Sequence, residues 1–164
     1  MTVKEILSLE HSDNLIALKG WVRTKRGSKN VSFIALNDGS TINNIQIVAE
    51  SNDFSDDLVR TITTGSCISI SGNLVKSKGK GQENEIIAKS INLLGEADAK
   101  EYPLQPKKHS LDFLREKAHL RFRTNTFSAV FRLRHSLQFA VHMFFNERGF
   151  FNLHTPIITG VDAE

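Results

Sequence analysis

Residues 15–26 read LIALKGWVRTKR and residues 30–40 read NVSFIALNDGS. Successive side chains of a strand point to opposite faces. The first stretch therefore puts Ile16, Leu18, Gly20 and Val22 on one face, with Lys19, Trp21 and Arg23 on the other. In the second, Ile34 and Leu36 point inward, so Phe33 points outward. Asn37-Asp38-Gly39 then gives a hairpin signal, since such residues tolerate the positive φ that tight β-turns require.

Further short alternating segments follow. TINNIQIVAE (41–50) turns Ile45 and Ile47 inward, with Asn44 and Gln46 outward. Residues 52–63, NDFSDDLVRTIT, suit a helix whose first-turn acids face the positive end of its dipole. SCISISGNLVKS (66–77) and NEIIAKSINLLG (84–95) alternate again, joined by the loop KGKGQ. Five strands with a helix between the third and fourth is the order of an OB-fold, a small barrel that binds oligonucleotides. Another small barrel is the alternative.

Beyond the barrel, residues 96–110 carry two of the three prolines and mixed charges, which marks a linker. A short helix follows with Ser110 as N-cap. Residues 124–149 then place Phe127, Val130, Leu133, Leu137, Ala140, Val141 and Phe144 at helical spacing. Thr126 or Asn125 serves to cap that helix, Gly149 suits its C-terminus, and its length is about 35 Å. An apolar strand is expected from Phe150, with Pro156 marking an edge or interface. The helix's broad apolar face outruns what the remaining residues could cover. The chain thus divides into a barrel over 1–99, a hinge over 100–123, and the beginning of a larger domain over 124–164.

Forty per cent hydrophobic and 24% charged residues fit a globular protein. No run approaches the ~20 apolar residues of a membrane span, and MTVKEILSLEHSDN has neither the apolar core nor the composition of a targeting peptide. A single cysteine, Cys67, rules out an internal disulfide framework and reads as a small sheet residue. A soluble, cytoplasmic protein is expected. The charge is uneven: residues 1–99 carry 11 bases and 12 acids, residues 100–164 carry 10 and 6. The second half's excess suits either a polyanion or a solvated helical face.

Trp21, Arg23, Lys25, Arg26, Phe33, Asn44 and Gln46 fall on the barrel's outward face. An exposed ring stacks on a splayed base, amides read its edge, and cations hold phosphate. The alternative is that Phe33 belongs to a small core at the barrel end and Gln46 is merely solvated. Phosphate-binding, nucleophile-elbow and zinc-helix motifs are absent, and His135 and His142, seven apart on one helix, suit packing better than metal.

Three stretches, GWVRTKRGSKNVSFIALNDGS, YPLQPKKHSLDFLREKAHLRFRTNTF and ERGFFNLHTPIITGVDAE, together resemble bacterial-type asparaginyl-tRNA synthetases. The likeness runs from about Leu15 to Glu164, with Phe122 where the family carries proline and Val161 where it carries serine. The related aspartyl enzymes share the layout of the first stretch. The resemblance implies an anticodon-binding OB-fold in which Phe33 stacks on the central uridine, Gln46 hydrogen-bonds it, and Glu85 helps read a neighbouring base. Arg23 and Arg26 would lie near the anticodon backbone. Residues 126–156 would form class II motif 1, the helix and strand of an α+β catalytic domain, with Pro156 at the interface of a homodimer. Glu164 would help hold the amino group of asparagine. ATP, Mg²⁺ and the catalytic residues would belong to motifs downstream, so this chain alone would be inactive as an asparagine–tRNA ligase for tRNA-Asn. The reading from another class is a stand-alone single-stranded RNA-binding OB-fold protein with a dimerisation arm.

Overall fold

The computed structural model describes residues 1–10, 15–28, 30–77, 79, 81–155, 157–158 and 160. Five strands, β1 (Leu15–Gly27), β2 (Val31–Asn37), β3 (Ile45–Glu50), β4 (Cys67–Lys76) and β5 (Asn84–Gly95), close a barrel in the order β1-β2-β3-β5-β4. β3 and β5 run parallel, and the other neighbours are antiparallel. The expected alternation holds. Ile16, Leu18, Val22, Ile34, Leu36, Ile45, Ile47, Ile68, Ile70 and Ile86 all turn inward and are almost wholly buried. Each such residue removed from water stabilises the fold by ~1.5–3 kcal/mol.

Helix α2 (Asp56–Thr61) lies between β3 and β4, capped by the Ser55 hydroxyl accepting from the Leu58 N–H, with Asp56 and Asp57 in its first turn. A further helix, α1 (Val3–Leu7), was not expected. Thr2 and Glu5 form a reciprocal capping box, and Val3 and Ile6 are buried in the barrel core. Asp38, in the β2–β3 turn, accepts from the Val3 N–H at 2.9 Å and so fastens α1 to the barrel. At Gly72 the β4–β5 ladder shifts register, and a Cβ there would fall on the Ile87 carbonyl oxygen. Only glycine fits that approach.

The β1–β2 register corrects one expectation. A bulge between Val22 and Thr24 leaves Arg23 unpaired, so Lys25 lies opposite inward Ile34 and Arg26 opposite outward Phe33. Lys25 therefore leaves the outward face. Its Nζ donates to the carbonyls of Val59 and Ile62 (2.8 Å for the latter) at the C-terminal end of α2.

After the barrel come α3 (Leu111–Glu116), capped by Ser110, a 3-10 turn (Arg121–Arg123) and α4 (Asn125–Asn146). Thr124, rather than Asn125 or Thr126, caps α4, its hydroxyl accepting from the Phe127 N–H at 3.4 Å. Gly149, at φ 82°, turns the chain after α4 as expected. Phe150–Thr155 makes no strand, in contrast to the expectation: a strand needs a ladder partner, and none among the described residues pairs with it. Pro156 and Glu164 lie outside the described residues. None of α4 is buried, and Leu133, Leu137, Phe139 and Val141 are each more than half exposed. No helix of the described residues is long and apolar enough to cross a membrane.

Candidate nucleic-acid interface

On the outward face of β1, β2, β3 and β5, two rows of side chains cross the strands. Register puts Thr24, Ala35, Gln46 and Glu85 in one row, and Arg26, Phe33, Val48 and Ile87 in the next. Polar side chains on these rows are linked by hydrogen bonds. Arg26 Nη2 donates to Gln46 Oε1 at 3.3 Å, and Gln46 Nε2 donates to Glu85 Oε2 at 3.1 Å. Ser77 Oγ (3.0 Å) and Gln82 Nε2 (3.3 Å), from the β4–β5 connection, donate to the same carboxylate oxygen. Glu85 is only 7% exposed, and three donors satisfy the burial of its charge.

This network fixes the Gln46 amide. Its oxygen faces a guanidinium and its nitrogen a carboxylate, so the two cannot exchange places. Each keeps one further hydrogen-bonding capacity, an acceptor beside a donor, which matches the adjacent donor and acceptor on a base edge. Ala35, with only a methyl group, leaves open floor beside Gln46. Phe33 is partly exposed at one side, with the Arg26 guanidinium 6.0 Å from its ring centre. The hollow so formed, about 580 Å³, is lined by Leu7, Thr24, Arg26, Ala35, Asn43, Asn44, Gln46 and Gly81–Asn84. A planar base entering it would meet an amide edge and a cation, with the Phe33 ring lying beside that cation outside the lining.

Of the residues singled out from the sequence, Arg26, Phe33, Gln46 and Glu85 are thus brought together. Arg23 is not. The bulge turns it to the hinge side, where its Nη2 donates to Asn125 Oδ1 at 3.1 Å. Arg123 there stacks on Trp21, 5.0 Å from the ring centre, and donates to Tyr102 Oη at 3.5 Å. Burial pushes the Arg23 guanidinium below its usual range, aided by Arg123 and opposed by Tyr102. Ser77 and Gln82 went unremarked in the sequence. Loop polar residues carry no periodicity, and only their position within a few residues of Glu85 hinted at a role.

Residues 16–94 match the family described as an OB-fold nucleic acid binding domain. The barrel is such a domain. Among relatives, the asparagine–tRNA ligase of Cytophaga hutchinsonii is 58% identical over 99% of this chain and 35% of its own length. That of Parabacteroides distasonis is 56% identical, again over 99% and 35%. The sequence is similar to asparagine–tRNA ligases, and it spans about a third of the length of the curated relatives it matches. The fold is also that of the asparaginyl-tRNA synthetase from Pyrococcus horikoshii, with a TM-score of 0.80 and 19% identity over 96% of this chain and 37% of that one. An aspartyl-tRNA synthetase from Entamoeba histolytica gives 0.75 and 20% over 95% and 39%.

Proposed function

We propose that the barrel binds the anticodon of tRNA-Asn as part of an asparagine–tRNA ligase. The observation that carries this reading is the Arg26–Gln46–Glu85 chain beside Phe33, over the open floor at Ala35. Phe33 stacks on the central base, and Gln46 presents its fixed amide to that base's edge. Uridine's N3–H and O4 supply the matching donor and acceptor. Glu85 Oε1, which accepts no hydrogen bond among the described residues, reads a donor on a neighbouring base. Arg26 both orients Gln46 and adds positive charge for phosphate.

In the same reading, residues 100–123 are the hinge and α4 opens the catalytic domain, its apolar face meeting the rest of that domain and a second protomer. Pro156 would stand at that dimer interface and Glu164 at the amino group of asparagine. Among the described residues no group of three His, Cys, Asp or Glu side chains could hold a metal ion. ATP and Mg²⁺ would be held by other parts of the full-length ligase.

Fluorescence anisotropy with an anticodon stem-loop carrying GUU tests the reading. Phe33→Ala is expected to weaken binding by ~1–3 kcal/mol, the worth of one base–aromatic stack, with the barrel's melting temperature nearly unchanged. Equal affinity of variant and wild type across a salt series would remove Phe33 from the interface.

A further inference from the structure

We propose that Arg132 is a positioning residue, which clasps α4 to the β2–β3 turn and, with Asn125, fixes how α4 stands on the barrel. All three nitrogens of its guanidinium donate. Nη2 reaches the Gly39 carbonyl, Nη1 the Ser40 carbonyl at 3.4 Å, and Nε the Ser128 hydroxyl, one helical turn back, at 3.5 Å. No carboxylate takes part, since the one ion pair within 4.0 Å among the described residues is Arg115–Asp112. A planar fork meets two successive carbonyls as a compact ammonium cannot.

The turn is built to receive that fork. Gly39 sits at φ 87°, where a side chain would be strained. Asn37 Oδ1 accepts from the Gly39 N–H at 2.8 Å, and Asp38 Oδ1 from the Ser40 N–H at 3.0 Å. These side chains hold the backbone of the turn, and the carbonyls of Gly39 and Ser40 are left to Arg132. Helix α1 braces the same turn. The Val3 N–H donates to Asp38 Oδ2 at 2.9 Å and the Lys4 N–H to Ser40 Oγ at 3.0 Å. So short a helix is unstable alone in water; here it stiffens the seat of α4 as well as closing the core.

Packing does not fix α4, because none of its residues is buried. Between it and the barrel lies a hollow of about 460 Å³, whose apolar lining of Trp21, Ile42, Phe122 and Phe131 is more than a third exposed at each residue. Direction is set instead by polar contacts at two points. Arg23 Nη2 donates to Asn125 Oδ1 at 3.1 Å, and Arg132 holds the turn. Residues 125 and 132 share one helix face, about 10 Å apart along the axis. One contact would let the helix pivot; two define its direction. One consequence rests on the reading proposed above: the clasp sets the span between the base groove and the catalytic domain that α4 opens. The clasp itself does not depend on that reading.

The test is double electron–electron resonance on the whole chain. Nitroxides are placed through Lys19→Cys on β1 and His142→Cys on α4, both exposed, in a Cys67→Ser background. Dilution with unlabelled chain leaves only distances within one molecule. His142 lies about 25 Å along the helix from Asn125, so a swing of about 10° moves its label by about 4 Å. Wild type should give one narrow distance. Arg132→Ala should shift or broaden it by that amount, Asn125→Ala likewise, and Arg132→Lys should restore only part, since an ammonium spans one carbonyl and not two. The barrel's melting temperature and its affinity for the GUU stem-loop should not change. Where Arg132→Ala lowers the melting temperature, Arg132→Gln, which keeps most of the stem, carries the same comparison. An unaltered distribution without the arginine, a wild-type distribution equally broad, or full restoration by lysine would overturn the proposal. Loss of stem-loop affinity would do so too, by making Arg132 an RNA contact. The distances are recorded without RNA, so a wild type that fails to bind the stem-loop removes the RNA reading and leaves the clasp standing.

Discussion

Replacing Glu85 by glutamine separates its reading role from its structural one. The carboxylate is 7% exposed, and Gln46, Ser77 and Gln82 all donate to Oε2, at 3.1, 3.0 and 3.3 Å. Glu85→Gln keeps the shape and offers a carbonyl oxygen to those three donors, so the contacts survive as neutral hydrogen bonds. Charge-assisted bonds are roughly twice as strong as neutral ones. Against that loss, the variant no longer buries a charge, which is itself costly. The two effects oppose, and the barrel's stability should move by no more than ~1 kcal/mol. Binding behaves differently. With its carbonyl turned to Gln46, the variant places an amide N–H₂ where Glu85 presents Oε1, so a base donor meets a donor instead of an acceptor. Losing one charge-assisted bond is worth ~1.5–3 kcal/mol, about tenfold to over a hundredfold in affinity. Anisotropy with the GUU stem-loop, set beside thermal melting, is the assay. A stability loss as large as the affinity loss, or an unchanged affinity, would refute the reasoning and leave Glu85 a structural acid. A double-mutant cycle with Gln46→Ala should give a coupling of ~0.5–3 kcal/mol, since the side chains touch.

Two other expectations test corrections to the sequence reading. Lys25→Met removes the cation from the carbonyls of Val59 and Ile62, and should lower barrel stability by ~1–3 kcal/mol while RNA affinity stays within twofold. Loss of affinity without loss of stability would return Lys25 to the binding face. Burial raises the Asp38 carboxyl, but hydrogen bonds from Ser40 and the Val3 N–H outweigh it and hold the group below its ordinary value. Its contribution is therefore present above the unfolded value of ~3.9 and is lost as pH falls through the lower, folded one. The melting gap between wild type and Asp38→Asn should stay constant from pH 5 to 7 and close below pH 4. A gap that persists there would show that the carboxylate does not fasten α1.

The barrel was legible because isoleucine, leucine and valine mark the inward phase of every strand, and a period of two admits no other reading over such runs. The bulge was not, for a specific reason. After Val22, residues 23–27 are Arg, Thr, Lys, Arg and Gly, so no apolar side chain records that the phase has slipped. That silence put Lys25 on the wrong face and concealed that Arg23 is left unpaired. The Thr2–Glu5 box was legible but sat beside few apolar residues, and a five-residue helix leaves almost no periodic signal. Phe33 and Gln46 could be turned outward from the sequence, but not set side by side. Their proximity depends on which residues pair across β2, β3 and β5, and parallel pairing of β3 with β5 has no local marker. The cap of α4 was ambiguous because Thr124, Asn125 and Thr126 are all competent caps.

The same bulge explains why one strand can serve two surfaces. Without it, residues 23 and 25 would share the outward face with Phe33, and Arg26 would turn inward toward the core. One extra residue reverses this for the second half of β1. Arg26 comes beside Phe33 and Gln46, Lys25 descends to the end of α2, and Arg23, left unpaired, is free to reach Asn125 at the start of α4. Because the three outcomes follow from one backbone irregularity, they are not independent. A change that removed the bulge would disturb the base groove, the seat of α2 and the junction with α4 together, whereas a side-chain change at any one of the three should leave the other two in place. That contrast distinguishes a bulge that sets the interface from one that merely tolerates it.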